Sequence, residues 1–481
     1  MARVVVTTGA VAGPSTPTRT PSSSYFVVGL AERGPTSGVE RITSLQDFVD
    51  TFGTRPSYGN LYDDVRTFFE EGGTRAFVAR VVGPAATTGA LASPLQDRAE
   101  TPVSTMQVTA KGAGQWSSRV KVQVADGSID DTFTLRILFD DVVVESYVNL
   151  RNPQEAVSRT ASSHWVVVSD LGSVSVAPDN NPAVVGPVAL AAGADDRTNV
   201  TAVETVAALA RFTDSLGDGA VAIPGGGDAV HAGLIAHANT YYRTAILSSA
   251  RGTTVDDLVA LAASYDEQRA GLFGPWLLIP DGFGGSRAIP PDGYVAGCRA
   301  RAVESVGPWQ APAGERARFR FVSAVDQVFS DADSTTLDDG KVSAIVGNRL
   351  YGWRSLSEDT INWFLLTAAD VLNHVTVRAR DAVAGDVFGV IDAKGHLLAS
   401  ISGKLEGIVA PIATSNGLYP WIDELTGEML DPGYKIVSDA SNNPRAVAAQ
   451  NRVYADVGIR PAPSAAMVFL SVTNAGVLAR L

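Results

Sequence analysis

The chain has 481 residues, 45% of them hydrophobic and 19% charged, an ordinary globular composition long enough for about three domains with a large core. Lys and Arg number 38 against 51 Asp and Glu, and the net charge of −13 comes with no Lys/Arg run, which disfavours nucleic acid and anionic membrane as main partners. Cys298 is the only cysteine, so an internal disulfide and a thiolate metal site are excluded, and folding in a reducing cytoplasm fits. The N-terminus lacks the apolar region of a signal peptide. No uninterrupted apolar stretch approaches the ~20 residues of a membrane helix; residues 183–192 come nearest and are broken by Gly186 and Pro187. A soluble protein is expected.

Val4, Val5, Val6, Thr7 and Thr8 form a strand-prone run of β-branched residues. Gly, Pro, Ser and Thr of linker composition follow through residue 24. Such a strand either frays as a disordered terminus or joins a sheet edge. Residues 24–30 read as a buried strand ended by Gly34-Pro35. Ser44 is placed as the N-cap of a helix carrying Leu45, Phe48, Val49 and Phe52, with Gly53 at its C-terminal cap. Asn60 opens a second helix, stopped by Gly72-Gly73, and residues 76–82 follow as a strand, which opens an α/β domain.

From about residue 85 the pattern changes to short β-rich runs, at 103–109, 120–124, 133–139, 142–148 and 165–168, separated by turn residues. They predict an inserted, mainly antiparallel β-domain over 86–195, on the outside of whatever the protein builds. The α/β alternation then resumes: helix 201–216, strand 220–223, helix 229–242, strand 244–248, helix 255–269, strand 275–279 and helix 294–303. These repeats point to right-handed βαβ units and a largely parallel sheet. The last third is more helical, with apolar stripes over 360–382 (Ile361, Phe364, Leu365, Val371, Leu372, Val375) and 392–409, then strands at 434–437, 452–459 and 466–472. The expected fold class is mixed α/β: an α/β core with a largely parallel sheet, an inserted antiparallel β-domain and a helical C-terminal part with a small sheet.

Motifs for chemistry are missing. No phosphate-loop sequence occurs, and Gly225, Gly226 and Gly227 follow a strand and precede a helix but Val230 breaks the dinucleotide-loop spacing. That turn is a tight strand-to-helix connection, with nucleotide binding by an α/β enzyme as its alternative reading. No nucleophile elbow is present. His231 and His237 are six residues apart, about 120° from sharing a helix face, so they do not make a zinc pair. Asp331, Asp333, Asp338 and Asp339 lack the Gly and Glu of a calcium loop and read as a solvated turn. No catalytic residue, cofactor or metal is assigned, and a structural protein is favoured over an enzyme.

Four stretches in order resemble the tail sheath proteins of contractile bacteriophages and related contractile injection systems. The first runs from Tyr25 through Gly34, Pro35, Phe48 and Gly53 to Gly72 and Gly73. The second is PPDGYVAGCRARAVESVGPWQAP, with Gly293, Gly297, Arg301, Trp309 and Pro312 on the family pattern. The third is YGWRSL, with Gly352 and Arg354, and the fourth includes Asp439, Asn443, Pro444 and Pro461. Val303, Val306, Gln310 and Ala466 depart from the family's usual Asp, Arg, Lys and Glu. The resemblance covers the chain nearly end to end, with the insert loosely matched.

The resemblance implies a sheath core in two parts (25–85 and 196–345), an outer insert (86–195) and a C-terminal sheath domain (346–465), flanked by arms at 1–24 and 466–481. It implies a homopolymer around a tail tube, with baseplate and tail terminator proteins as further partners and the virion tail, assembled in the host cytoplasm, as its location. Phage, tailocin and other injection systems remain open, as does another filament class. Contraction would drive the tube through the bacterial envelope. Val4, Val5, Val6 and Thr7, with Val468, Phe469, Leu470, Val472, Val477 and Leu478, are the implied intersubunit arm strands, which would add to a neighbour's sheet by backbone hydrogen bonding. Residues 9–24 span at most about 55 Å extended, on the order of the ~60 Å diameter of a compact chain this long.

Overall fold

A computed structural model describes residues 21–466. Strand β1 (Tyr25–Gly29) is an interior strand of the main sheet, and β2 (Glu40–Ile42), helices α1 (Leu45–Phe52) and α2 (Leu61–Glu70) and β3 (Ala76–Arg80) follow. Ser44 caps α1 by accepting from the Asp47 N–H, and Gly53 ends it at φ 88°. After the insert come α4 (Ala202–Ala208), β11 (Ala220–Ala222), α5 (Asp228–Tyr241), β12 (Thr244–Ser248), α6 (Val255–Ala263) and β13 (Ala270–Gly274). A small sheet of β14 (Leu277–Pro280), β15 (Ser286–Ile289) and β16 (Ala324–Val325) interrupts the alternation, with α7 (Asp292–Ser305) between its last two strands. Helix α8 (Asp331–Asp339), β17 (Val342–Val346) and β18 (Arg349–Leu350) complete the body.

The main sheet has the order β18-β17-β13-β12-β11-β1-β3-β2, parallel from β17 to β3 with an antiparallel strand at each edge. Because both faces are covered by helices, its central strands are buried along nearly their whole length instead of alternating. In β1, Tyr25 and Val27 pack with α1, α2 and α7, while Phe26 and Val28 pack with α4, α5, α6 and α8 on the other face.

The insert is a body of two antiparallel sheets, β4-β5-β9 (Leu95–Gln96, Ser104–Ala110, Val166–Asp170) and β10-β6-β7-β8 (Val185–Ala189, Val120–Asp126, Phe133–Phe139, Val142–Leu150), plus helix α3 (Pro153–Thr160). It has its own core around Trp116 and Trp165. Two arginines fasten it to the body. Arg80 donates to the carbonyls of Ala31, Gly34 and Ala113, and the Arg33 guanidinium lies 3.8 Å from the centre of the Trp165 ring.

The C-terminal part pairs α9 (Leu366–Val383) with α10 (His396–Thr414) and adds hairpin β19–β20 (Trp421–Ile422, Met429–Asp431) and the two-stranded sheet of β21 (Tyr434–Val437) and β22 (Asp456–Ile459), with α11 (Arg445–Ala448) between them. Helix α10 is long and apolar enough by composition to cross a membrane. Here its Ile401, Leu405, Val409 and Ile412 are buried, and Lys404 pairs with Asp386 at 2.6 Å.

Several boundaries correct the sequence reading. The parallel strand expected at 275–279 is Ala270–Gly274, and Leu277–Pro280 belongs to the separate antiparallel sheet. A Cβ on Gly271 would lie 2.9 Å from the Arg354 carbonyl oxygen, so this position of the central strand needs a small residue that a search for apolar runs passes over. Helix 255–269 therefore ends at Ala263. Helix 201–216 stops at Ala208 and continues as two 3-10 turns. The helix expected from 360 begins at Leu366, leaving Ile361 93% exposed instead of on the apolar stripe. The helix expected from 392 begins at His396, and the strand expected over 452–459 is four residues long. The supposed turn at Asp331 is a helix, because Ser330 and Asp333 form a capping box that recruits the acids into its first turn.

Candidate assembly surface

Most of the motif residues turn out to build the body. Helices α2 and α7 cross so closely that a Cβ on Gly293 would press on the Asp64 carbonyl, and one on Gly297 would lie 2.8 Å from Glu71 Cβ. Gly73 lies against the Phe68 ring, and Gly72 turns at φ 109°. Arg301 donates to the carbonyls of Glu71 and Arg316, at 2.7 and 2.6 Å, and so binds α7 to both neighbours. Glu71, fully buried, accepts from the backbone N–H groups of Arg320, Phe321 and Val322. Gly34 and Pro35 form the turn after β1, where Gly34 (φ 102°) comes against Phe52 and Thr51; Phe48 is buried in the same core. Gly352 approaches Ser343, and Arg354 lies 3.8 Å from the centre of the Phe364 ring and 3.2 Å from Asp338.

Trp309 and the last motif reach the C-terminal part. Trp309 joins the small core of Val371, Val375, Val409, Ile412 and Leu418, and lies between Gly307 and Gly417, whose bare Cα atoms leave room for its ring. Pro312 is buried beside it in sequence. Asp439 accepts from the Ser441 N–H and hydroxyl, and that hydroxyl bond holds its carboxyl below the usual range. Pro444 caps α11, and Asn443 exchanges two hydrogen bonds with the Tyr454 backbone, which fixes the loop leading to β22.

The resulting sheet is small and open at its edges. Tyr434, Ile436, Val457 and Ile459 pack inward on the α9–α10 core, in the register Tyr434↔Ile459 and Ile436↔Val457. Only two strands are present, so each keeps an outer edge with no partner strand among the described residues. Nearby, Trp421, Met429 and Leu430 are each more than half exposed. A groove of about 910 Å³ is lined by Val387, Phe388, Val390, Leu397 and Val453. A second, of about 480 Å³, is lined by Trp363, Leu372, Ile459 and Pro461, close to where the described chain ends. Two-stranded sheets are marginal alone, and open edges with apolar surroundings are sites for added strands.

The arm strands fall outside the described residues: Val4, Val5, Val6 and Thr7 at one end, and Val468, Phe469, Leu470, Val472, Val477 and Leu478 at the other. The other sequence candidates have local roles. Gly225 is approached by the Asn60 side chain, and Gly227 caps α5 at φ 62°. His231 is bonded to Tyr265 and the Ser248 carbonyl, and His237 to Arg243. The sequence reading passed over Glu71 and Arg299, whose partners lie far away in the chain.

No family model and no curated protein matches the sequence. Solved structures do. The sheath tail protein of Listeria innocua is 11% identical with a TM-score of 0.65, over 94% of each chain. A chain of the sheath complex of an extracellular contractile injection system, PVC, in its contracted state is 12% identical with a TM-score of 0.56, over 98% of this chain and 99% of that one. A chain of the anti-feeding prophage baseplate is 12% identical with a TM-score of 0.57, over 99% of this chain and all of that one. Over its described residues, this chain has the fold of the tail sheath proteins of contractile injection systems.

Proposed function

We propose that the protein is the structural subunit of a contractile sheath, polymerising helically around a tail tube and contracting to drive that tube through a bacterial envelope. The observation that carries this reading is the likeness over nearly the whole chain to a sheath tail protein. The two-stranded β21–β22 sheet with both edges open supports it from the physical side. An interface between two different patches that does not close generates a helical filament, and strand addition supplies such an interface through backbone hydrogen bonds. Residues 1–20 and 467–481 of neighbouring copies are assigned as the added strands. Tube, baseplate and tail terminator proteins are assigned as the remaining partners, in the virion tail of a phage or the equivalent of a tailocin or other injection system.

No catalytic step is assigned. An extended lattice held short of its best packing stores the work, and closer contacts between subunits in the contracted lattice release it. Deleting residues 1–20 is expected to leave a folded monomer, by circular dichroism and sedimentation, that forms no tubes in negative-stain micrographs. Regular tubes from that deletion would sink the arm assignment; a wild-type chain that stays monomeric under assembly conditions would sink the sheath reading.

A further inference from the structure

Three consecutive serines before β1 read as the end of a flexible leash, but the fold takes them inside. Ser22, Ser23 and Ser24 are 4, 1 and 1% exposed. Ser22 Oγ shares a hydrogen bond of 2.7 Å with His374 Nδ1 on α9, and Ser23 Oγ donates to Glu304 Oε1 on α7 at 3.0 Å. Ser24 donates from N and Oγ to the Pro21 carbonyl, at 3.1 and 2.8 Å, closing a turn. The Ser24 carbonyl accepts from Ala220, so the sheet begins immediately afterwards. The body therefore begins earlier in the chain than composition suggests.

At the centre of this root is Arg299, midway along α7. Its Nη1 donates to the Ser22 carbonyl at 2.6 Å, while Nε and Nη2 donate to Asp370 Oδ1 on α9 at 3.1 and 2.7 Å. Asp370 also accepts from Thr244 Oγ1 at 2.5 Å, at the start of β12. Both charged side chains are 2% exposed. A buried ion pair of this kind contributes little that a packed apolar pair would not. An apolar pair, however, has no donor for a backbone carbonyl, whereas the rigid guanidinium fork can hold two acceptors at once.

We propose that Arg299 is the anchor of the N-terminal segment, a positioning residue that fixes where residues 1–20 leave the body and couples that root to α9. This rests on the sheath reading above. Helix α9 contributes Val371 and Val375 to the core beneath the β21–β22 sheet. Tension arriving along the segment from one neighbour thus passes through Arg299 and Asp370 to the helix that carries the sheet offered to another. Without the anchor, residues 21–24 would peel away and add up to about 13 Å of slack, and subunits would lose a common spacing.

The test uses the full chain with Arg299→Lys, which keeps a charge for Asp370 but loses the fork, and with Glu304→Ala at an exposed position. Hydrogen exchange of unassembled subunits is expected to be about tenfold faster across residues 22–25 in both variants and unchanged in β13. Tubes grown from them are expected to show irregular striation in negative stain. Wild-type exchange rates in Arg299→Lys, or fast exchange together with tubes as regular as wild type, would overturn the anchor. If Arg299→Lys does not fold, Glu304→Ala decides by the same two readings. If the wild type itself makes no tubes, the sheath reading fails, and the coupling role proposed for the anchor fails with it.

Discussion

The α/β body and the C-terminal part both lay apolar helices on sheets, yet they differ in how complete they are. In the body, the inner strands of an eight-stranded sheet are covered on both faces, and Tyr25, Phe26, Val27 and Val28 have no exposed surface. In the C-terminal part the cluster beneath the β21–β22 sheet holds five buried apolar side chains, the strands form two separate short pairs, and Phe388 and Leu425 are fully or almost fully exposed. Length does not explain this, since more than a hundred residues ordinarily suffice for a closed core. The difference fits the proposed role, in which the body carries its own stability and neighbouring subunits would finish the C-terminal part. An added strand would pair an open edge and cover apolar surface at the same time.

Substitutions should separate the two regions sharply. Phe68→Ala in the body is expected to cost about 3–5 kcal/mol of unfolding free energy, read as a fall in urea midpoint, because the ring fills the fully buried α2–α7 interface. Glu71→Ala comes next, at roughly 3 kcal/mol, since three backbone donors lose their fully buried acceptor. Should either variant melt like wild type, the body would not be the self-sufficient unit described.

A pH titration gives a subtler contrast. Asp292 is buried at the head of α7, and its carboxylate oxygens find no hydrogen-bond partner among the described residues. Burial pushes its pKa up to about 7, and burial followed by the charge of Asp292 raises Asp64 as well. The folded state therefore holds protons that the unfolded chain has lost, so stability from the neutral form is complete below about pH 4 and declines as pH rises through 7. Asp292→Asn removes the share of that dependence that Asp292 carries and eases the part that its charge adds to Asp64. Its urea midpoint is expected to gain on wild type between pH 5 and pH 8, and a constant difference across that range would refute the assignment.

The smallest effect is predicted for the surface. Trp421→Ser, at a side chain 58% exposed, should change monomer stability by less than about 0.5 kcal/mol. Its expected consequence is a higher protein concentration needed to form tubes, measured by pelleting. A large loss of monomer stability instead would place Trp421 in a core and erase the contrast between the regions.

Local chemistry made much of the body legible in the amino-acid order. The Ser44 and Gly53 caps, the β-branched run of β1 and the Gly72-Gly73 stop each act within a few residues, and so each could be placed without a partner. The four motifs likewise carried the family resemblance, although Gly293, Gly297 and Arg301 proved to serve helix crossing and carbonyl capture inside the body.

Tertiary structure decided what depends on distant neighbours. Apolar content favoured 275–279 as the parallel strand, but the space between Arg354 and Leu366 admits glycine at 271, and Ala270–Gly274 took the place. Ser22, Ser23 and Ser24 have the composition of a linker, and only Arg299, His374 and Glu304, some 280 to 350 positions away, make them part of the body. The sequence thus determined which segments could form strands and helices, because propensity and capping are short-range. Where the body begins was set by distant partners, one of them the buried Arg299, that no local pattern encodes.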